Sequence, residues 1–97
     1  MAIVEKTFYS PYVTTYTNTT PGSPAAVTGV IVDSIQFVAP VAADTIQIDV
    51  TPLGSESVIV NMSAGDTLYG PFTAYDLGAI EADETVIVHE RDKTITA

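Results

Sequence analysis

The stretch DTIQIDVT, residues 44–51, decides the fold class of this 97-residue chain. Ile46, Ile48 and Val50 alternate with the polar residues between them. Because successive side chains of a strand point to opposite faces, this period of two predicts a half-buried β-strand. A turn-forming PLGS segment follows, and residues 56–62, with VIV at their centre, predict the second strand of a hairpin.

Further runs rich in β-branched residues lie on both sides of this hairpin. They occupy residues 3–8, 30–38, 67–75 and 84–91, with residues 93–97 as an extension of the last run. The Gly-Pro pair at residues 70 and 71 is expected to interrupt its run. No segment shows a sustained apolar period of 3.6 residues, so no helix is expected. The pattern predicts an all-β fold, a small β-sandwich or jelly-roll-like domain of about seven or eight short strands.

The run around Asp33 changes its apolar parity midway. Val30 and Val32 occupy even positions, whereas Ile35 and Phe37 occupy odd ones. A β-bulge at Asp33 and the serine after it would keep all four side chains on one face, because a bulge inserts one extra residue into a strand. A strand that is buried on both faces is the alternative.

The first 29 residues differ in character from the rest of the chain. They are rich in threonine, proline and glycine, with tyrosines interleaved. Threonine and tyrosine favour extended structure, whereas the proline and glycine cluster favours an irregular loop. We therefore divide the chain into an N-terminal arm or long loop, residues 1–29, and a β-sandwich domain, residues 30–97. An edge strand followed by a surface loop is the other interpretation of residues 1–29.

The composition argues against several classes of function. Twelve acidic residues against three basic ones give a net charge of −9, and the basic residues, Lys6, Arg91 and Lys93, lie near the two ends. A surface of this sign repels phosphates, so neither nucleic acid nor an anionic membrane is expected as a partner. The absence of cysteine excludes disulfides and thiolate metal sites. Neither a signal peptide nor a membrane helix is expected.

No residue pattern predicts catalysis or a bound cofactor. The single histidine, His89, has no cysteine or second histidine with which to share a metal. Glu81, Asp83 and Glu84 form an acidic cluster, for which we expect a solvated loop, with calcium binding as the alternative. Aspartates near strand ends, such as Asp66, are expected to cap turns. We therefore expect a protein that is not an enzyme, with no catalytic residues, metal site or cofactor.

Residues 65–74, GDTLYGPFTA, resemble a segment of small tailed-phage virion proteins. In those proteins a similar Gly-Pro-Phe turn is followed by a β-branched strand, as in residues 85–88 here, and residues 30–35 resemble another of their strands. The resemblance covers about residues 30–91. It implies a head decoration or accessory protein, a family commonly folded as a β-sandwich or β-tulip, often trimeric, with N-terminal arms that often reach the shell or a neighbouring subunit.

The resemblance implies a non-enzymatic structural virion protein that stabilises the head by binding the outer surface of its lattice. The expected partners are the major capsid protein and copies of itself, with a trimer favoured, in a virion made in the host cytoplasm. Aromatic residues are expected to form the assembly interface. These are Phe8, Tyr9, Tyr12, Tyr16, Tyr69 and Phe72. The alternatives are a carbohydrate-binding or adhesin-type β-sandwich module, or another virion component such as a tail or connector protein.

Overall fold

A computed structural model describes residues 13–18 and 22–91 of the chain. This part of the chain contains six antiparallel β-strands. They are β1 (Val13–Thr17), β2 (Val27–Val38), β3 (Thr45–Pro52), β4 (Val58–Ser63), β5 (Thr67–Leu77) and β6 (Thr85–Glu90). The predicted all-β class is confirmed. The same residues include no helix long and apolar enough to cross a membrane.

The six strands form one sheet in the order β1-β6-β2-β5-β3-β4. The two longest strands, β2 and β5, lie at its centre, and β1 and β4 form its edges. Strands β3 and β4 form the hairpin that the alternation in residues 44–51 predicts, with Ile48 opposite Val60. Strand β6 lies between β1 and β2 and pairs with both of them.

One face of the sheet forms the hydrophobic core. Its buried apolar side chains are Val30, Val32, Ile35, Phe37, Ile46, Ile48, Val50, Met62, Phe72, Tyr75, Leu77, Ile80, Val86 and Val88. Val32, Ile35 and Phe37 are fully buried, which one flat layer of strands does not achieve. The sheet therefore curves over its own apolar face. This curvature is compatible with the predicted sandwich, although all six strands belong to one hydrogen-bonded sheet.

A β-bulge produces the parity change that the sequence shows around Asp33. Val32 lies opposite Glu90 of β6 and Ser34 lies opposite His89, so Asp33 is the extra residue of β2. Both halves of β2 therefore turn their apolar side chains towards the same core. The bulge prediction is confirmed, and the alternative of a strand buried on both faces is wrong.

Strand β5 continues through Gly70-Pro71, where the sequence predicts an interruption. Across from it, Val32 lies opposite Phe72, and Ser34 lies opposite Tyr69. The Gly-Pro pair thus faces a single residue of β2, and its peptide bond is cis. A bulge of this kind takes the proline out of the regular ladder, so the missing N–H does not end the strand. The predicted interruption is wrong.

The described residues form fewer and longer strands than the seven or eight short ones that we expected. β2 has 12 residues and β5 has 11. Both strands contain bulges, and a bulge allows a strand to bend and continue where the local sequence resembles a stop.

The residues of the predicted arm are partly in the sheet. Val13–Thr17 pair with β6 as an edge strand, in agreement with the second interpretation of this segment. β2 begins at Val27, so the domain boundary predicted after residue 29 falls inside a strand. Residues 1–12, 19–21 and 92–97 lie outside the described residues, and with them the strand runs predicted at 3–8 and 93–97.

Candidate interaction surface

The aromatic residues predicted for the interface do not lie on one surface. Tyr69 is 76% exposed on β5, whereas Phe72 is 5% exposed and packs in the core. Phe72 faces the core because it lies opposite the buried Val32 beyond the Gly70-Pro71 bulge. Phe72 is therefore a core residue and cannot contribute its ring to an exposed interface. Phe8, Tyr9 and Tyr12 lie outside the described residues.

Tyr16 of β1 contacts Tyr75 of β5 across the core. Their hydroxyl oxygens are 2.7 Å apart, and their rings meet edge to face with centroids 6.2 Å apart. Two strands lie between β1 and β5 in the sheet, which would separate the two tyrosines by about 14 Å if the sheet were flat. The tyrosine pair therefore stabilises the curvature and fixes the edge strand β1. Tyr16 is half-buried, so little of its ring is left for a partner.

We expect the stability of the protein to fall as the pH rises above about 10, the ordinary pKa of tyrosine. Burial, and to a lesser extent the hydrogen bond with Tyr16, raises the pKa of Tyr75. The unfolded chain then releases this proton at a lower pH than the folded chain, so alkaline pH favours unfolding. Urea unfolding at about pH 8 and about pH 10.5 measures the difference.

The variant Tyr75→Phe should have a weaker pH dependence in this range than the natural chain, because the shifted group is gone. Tyr69→Phe is the matched control, since Tyr69 is exposed and its replacement should leave the pH dependence unchanged. The same pH dependence in Tyr75→Phe and in the natural chain would contradict the prediction.

The acidic loop at residues 81–84 folds back on itself. The Glu84 side chain is only 4% exposed, and its Oε1 accepts a hydrogen bond of 3.0 Å from the Glu81 N–H. The Glu84 N–H in turn donates to the Glu81 carbonyl oxygen at 3.1 Å. The expected solvated loop is thus correct for Glu81 and Asp83, which are exposed, and wrong for Glu84. Within the described ranges, no three potential ligands are grouped so that they could hold a metal ion.

Asp66 caps the turn between β4 and β5, as the sequence predicts. Its Oδ2 accepts a hydrogen bond of 2.8 Å from the Ser63 N–H, and its own N–H donates to the Ser63 carbonyl oxygen at 2.9 Å. This pair of bonds closes the turn and satisfies both main-chain groups of Ser63.

A shallow groove of about 310 Å³ crosses β5, β3 and β4 on the face away from the core. In the ladder, Asp49 lies directly opposite Asp76 on one side and Ile59 on the other. Like charges at directly opposed positions repel, so this arrangement is not explained by stability. The groove presents carboxylate oxygens, which accept hydrogen bonds, beside the exposed Ile59 side chain, which is apolar.

The two edge strands of the sheet contain no charged residue and no proline. β1 has the sequence VTTYT, and β4 has the sequence VIVNMS. Proteins commonly protect an edge strand from pairing with another chain by placing charges, prolines or bulges on it. Near β4 several large apolar side chains are exposed as well: Leu53 at 57%, Val58 at 46% and Ile59 at 63%. These edges are the part of the described surface best suited to contact with another protein chain.

The expected relationship to phage decoration proteins has no support from known proteins. The chain matches no protein-family model, no curated protein and no solved structure. Its function is therefore inferred from the sheet, its edges and its charge.

Proposed function

We propose that this chain is a non-enzymatic structural virion protein that binds the outer surface of a phage head lattice and stabilises it. The observation that carries this proposal is a well-packed curved sheet with two uncharged edge strands. An open edge of this kind favours main-chain pairing with other protein chains. The partners are the major capsid protein and further copies of the chain, which assemble in the host cytoplasm.

The charge of the chain supports a docking role. The net charge is −9, and no lysine or arginine occurs between residues 7 and 90. Arg91 is paired with the exposed Asp33 at 2.7 Å, so its charge is partly compensated. An acidic surface of this kind favours association with a basic partner surface. A lattice repeats each contact many times, so a weak single contact is sufficient for stable decoration.

Co-sedimentation with capsid shells tests this function. We expect the purified protein to sediment with undecorated shells of the phage that encodes it, and to dissociate as salt is added. A chain that neither sediments with shells nor associates with itself would refute the proposal. Sedimentation with purified tails, and not with shells, would assign the chain to the tail or connector instead.

We expect Tyr69→Ala to weaken shell binding about tenfold, or by about 1.4 kcal/mol, because tyrosine is enriched among the few residues that contribute most of the binding energy of an interface. Tyr69 is the most exposed of the large apolar residues in the described part of the chain. Val41→Ala is the matched control, since Val41 is 54% exposed in a loop and its truncation should change binding less than about twofold. Equal effects of the two substitutions would contradict a role for Tyr69.

A carbohydrate-binding module is the second candidate function, favoured by the groove across β5, β3 and β4. Its volume is at the lower end of the range for small-molecule sites, about 300–1,000 Å³. The carboxylates of Asp49 and Asp76 are suited to accept hydrogen bonds from sugar hydroxyls. Glycan-array binding by the natural chain that disappears in the Asp49→Asn, Asp76→Asn double variant would favour this function.

A further inference from the structure

We propose that strand β4 pairs with β4 of a second copy of the chain, antiparallel and across a twofold axis that passes through Val60. The proposal rests on the hydrogen-bonding pattern of the β3–β4 hairpin and on the charge of its surroundings. It does not depend on the capsid function, because the pairing requires only two copies of this chain.

The hairpin determines which main-chain groups of β4 point outward. The Ala64 N–H donates to the Asp44 carbonyl oxygen at 3.1 Å, at the end of the ladder between β3 and β4. Bonded and non-bonded positions alternate along an antiparallel pair. The even-numbered residues of β4 therefore bond to β3. The N–H and C=O groups of the odd-numbered residues, Ile59, Asn61 and Ser63, point away from the sheet.

A second hydrogen bond agrees with this assignment. The Gly78 N–H donates to the Gln47 carbonyl oxygen at 3.0 Å, so Gln47 bonds to β5 and not to the opposing Asn61. Both main-chain groups of Ser63 bond to Asp66. Ile59 and Asn61 form no hydrogen bond with any other described residue on this side of the strand. The open edge of β4 therefore consists of these two residues.

One register of a β4–β4 pair satisfies all of the open groups in both copies. When Val60 lies opposite Val60 of the second copy, Ile59 lies opposite Asn61 on each side of the axis. The N–H and C=O groups of both residues point away from β3, so each Ile59–Asn61 pair exchanges two N–H···O bonds. The register also keeps the core faces of the two sheets on the same side, because odd residues oppose odd residues. Val58, 46% exposed at the sheet edge, then lies opposite Met62 of the second copy.

Charge favours this edge as the place where two copies meet. Each copy carries a net charge of −9, so most approaches bring carboxylates together. β4 has no charged side chain, and in the proposed register Glu56 and Asp66 lie beyond the ends of the paired segment. Ile59, 63% exposed, is covered by the second copy. A self-complementary, uncharged edge fits a second copy without a change in either chain.

The proposed contact is small. A pairing of six residues buries less than the roughly 800 Å² per partner of a standard interface, so the dimer is weak in solution. Such a contact becomes effective when other interactions hold the copies close together. The twofold contact is also distinct from the trimer that the family resemblance implies, and it can link two trimers.

Single-cysteine cross-linking tests the register, because the natural chain contains no cysteine. In the proposed pair the two Val60 Cα atoms are about 4.5 Å apart, which is within the range for a disulfide. We expect Val60→Cys to form a covalent dimer under mild oxidation at least about tenfold faster than Ile59→Cys or Asn61→Cys. In these matched controls the cysteines of the two copies are diagonal neighbours about 7–8 Å apart, too far for a disulfide.

Any other cross-linking result would overturn the proposal. Faster cross-linking of Ile59→Cys or Asn61→Cys would show a shifted register, and equal rates for all three would show random collision. Cross-linking of Val60→Cys to Thr15→Cys, but not to itself, would show that β1 of another copy occupies the edge.

A proline at the open edge provides a second test. Asn61→Pro removes an outward N–H that the β3–β4 ladder does not use, so the fold should be retained, as measured by circular dichroism. Combined with Val60→Cys, it should reduce cross-linking at least about tenfold. If this variant is unfolded, Asn61→Lys replaces it, since a charge on an edge strand also prevents pairing. Undiminished cross-linking in a folded variant would overturn the proposal, whatever the outcome of the shell-binding experiment.

Discussion

Replacement of Gly70 by alanine should destabilise the protein by about 3 kcal/mol, at the upper end of the range for overpacking. A Cβ atom at this position would collide with the Val32 carbonyl oxygen and would lie 2.7 Å from the Phe72 nitrogen. Both are main-chain atoms of the central strands β2 and β5. They cannot move aside without disturbing the ladder between these strands, so the strain cannot be relieved by rotating a side chain.

Gly54→Ala is the control for this prediction. Gly54 has a φ of +77°, but a Cβ there would meet no atom within 4 Å. Its replacement should cost only about 1–2 kcal/mol, the ordinary penalty for an L-residue in the left-handed region. Urea unfolding of both variants measures the two free energies. If Gly70→Ala destabilises the protein no more than Gly54→Ala, the close approach of β2 and β5 is not as described.

Phe37→Ala should cost about 3–5 kcal/mol, a large share of the stability of a small domain. The Phe37 side chain is fully buried and is the largest of the completely buried side chains. The main-chain groups of Phe37 also form hydrogen bonds with the turn between β4 and β5. The Phe37 N–H donates to the Asp66 carbonyl oxygen at 3.0 Å, and its carbonyl oxygen accepts from the Gly65 N–H at 2.8 Å. Phe37→Ala retains both of these main-chain bonds, so the expected loss comes from the cavity left in the core.

The neighbouring Val38 provides the matched control for Phe37. It lies on the same strand but is 41% exposed, so Val38→Ala should change the free energy of unfolding by no more than about 0.5 kcal/mol. Denaturant unfolding compares the two variants. A loss below about 1 kcal/mol in Phe37→Ala would mean that this part of the core collapses around the missing ring.

The sequence predicts those parts of the fold in which the local pattern and the final structure agree. Ile46, Ile48 and Val50 alternate with polar residues, and the structure buries all three. The parity change around Asp33 likewise predicts the bulge of β2. The course of β5 through Gly70-Pro71 is not predictable in this way, because it depends on how closely β2 approaches from another part of the chain.

A bulge in β5 brings two of its aromatic residues to the same face of the sheet. Phe72 lies opposite Pro52 and Ala74 opposite Thr51, so Thr73 is an extra residue of β5. Its Oγ1 donates to the Thr51 carbonyl oxygen at 3.3 Å. This extra residue changes the parity of the strand, so Phe72 and Tyr75, three residues apart, both face the core. Tyr69 and Phe72 are also three residues apart, and for them the period of two of a strand already gives one exposed and one buried side chain.

The open edge of β4 is not predictable from the local sequence, because strand order is a property of the whole sheet. The sequence predicts β4 as half of a hairpin, but it does not indicate whether a third strand covers its other side. The signal that was present is the absence of charge from VIVNMS, in a chain with twelve acidic residues. Ile59 and Asn61 become candidates for contact only when the hydrogen-bonding pattern of the hairpin is known.

The position of β6 has a consequence for synthesis on the ribosome. This strand is made after the other five, yet it lies between β1 and β2. Until it emerges, β1 has no neighbour among the described strands, and β2 lacks its partner on one side. Contacts between segments far apart in sequence form slowly, and incomplete chains with exposed strands tend to aggregate. The nascent protein therefore folds late. A product that stops before Thr85 lacks β6, and without β6 its β1 has no strand to pair with.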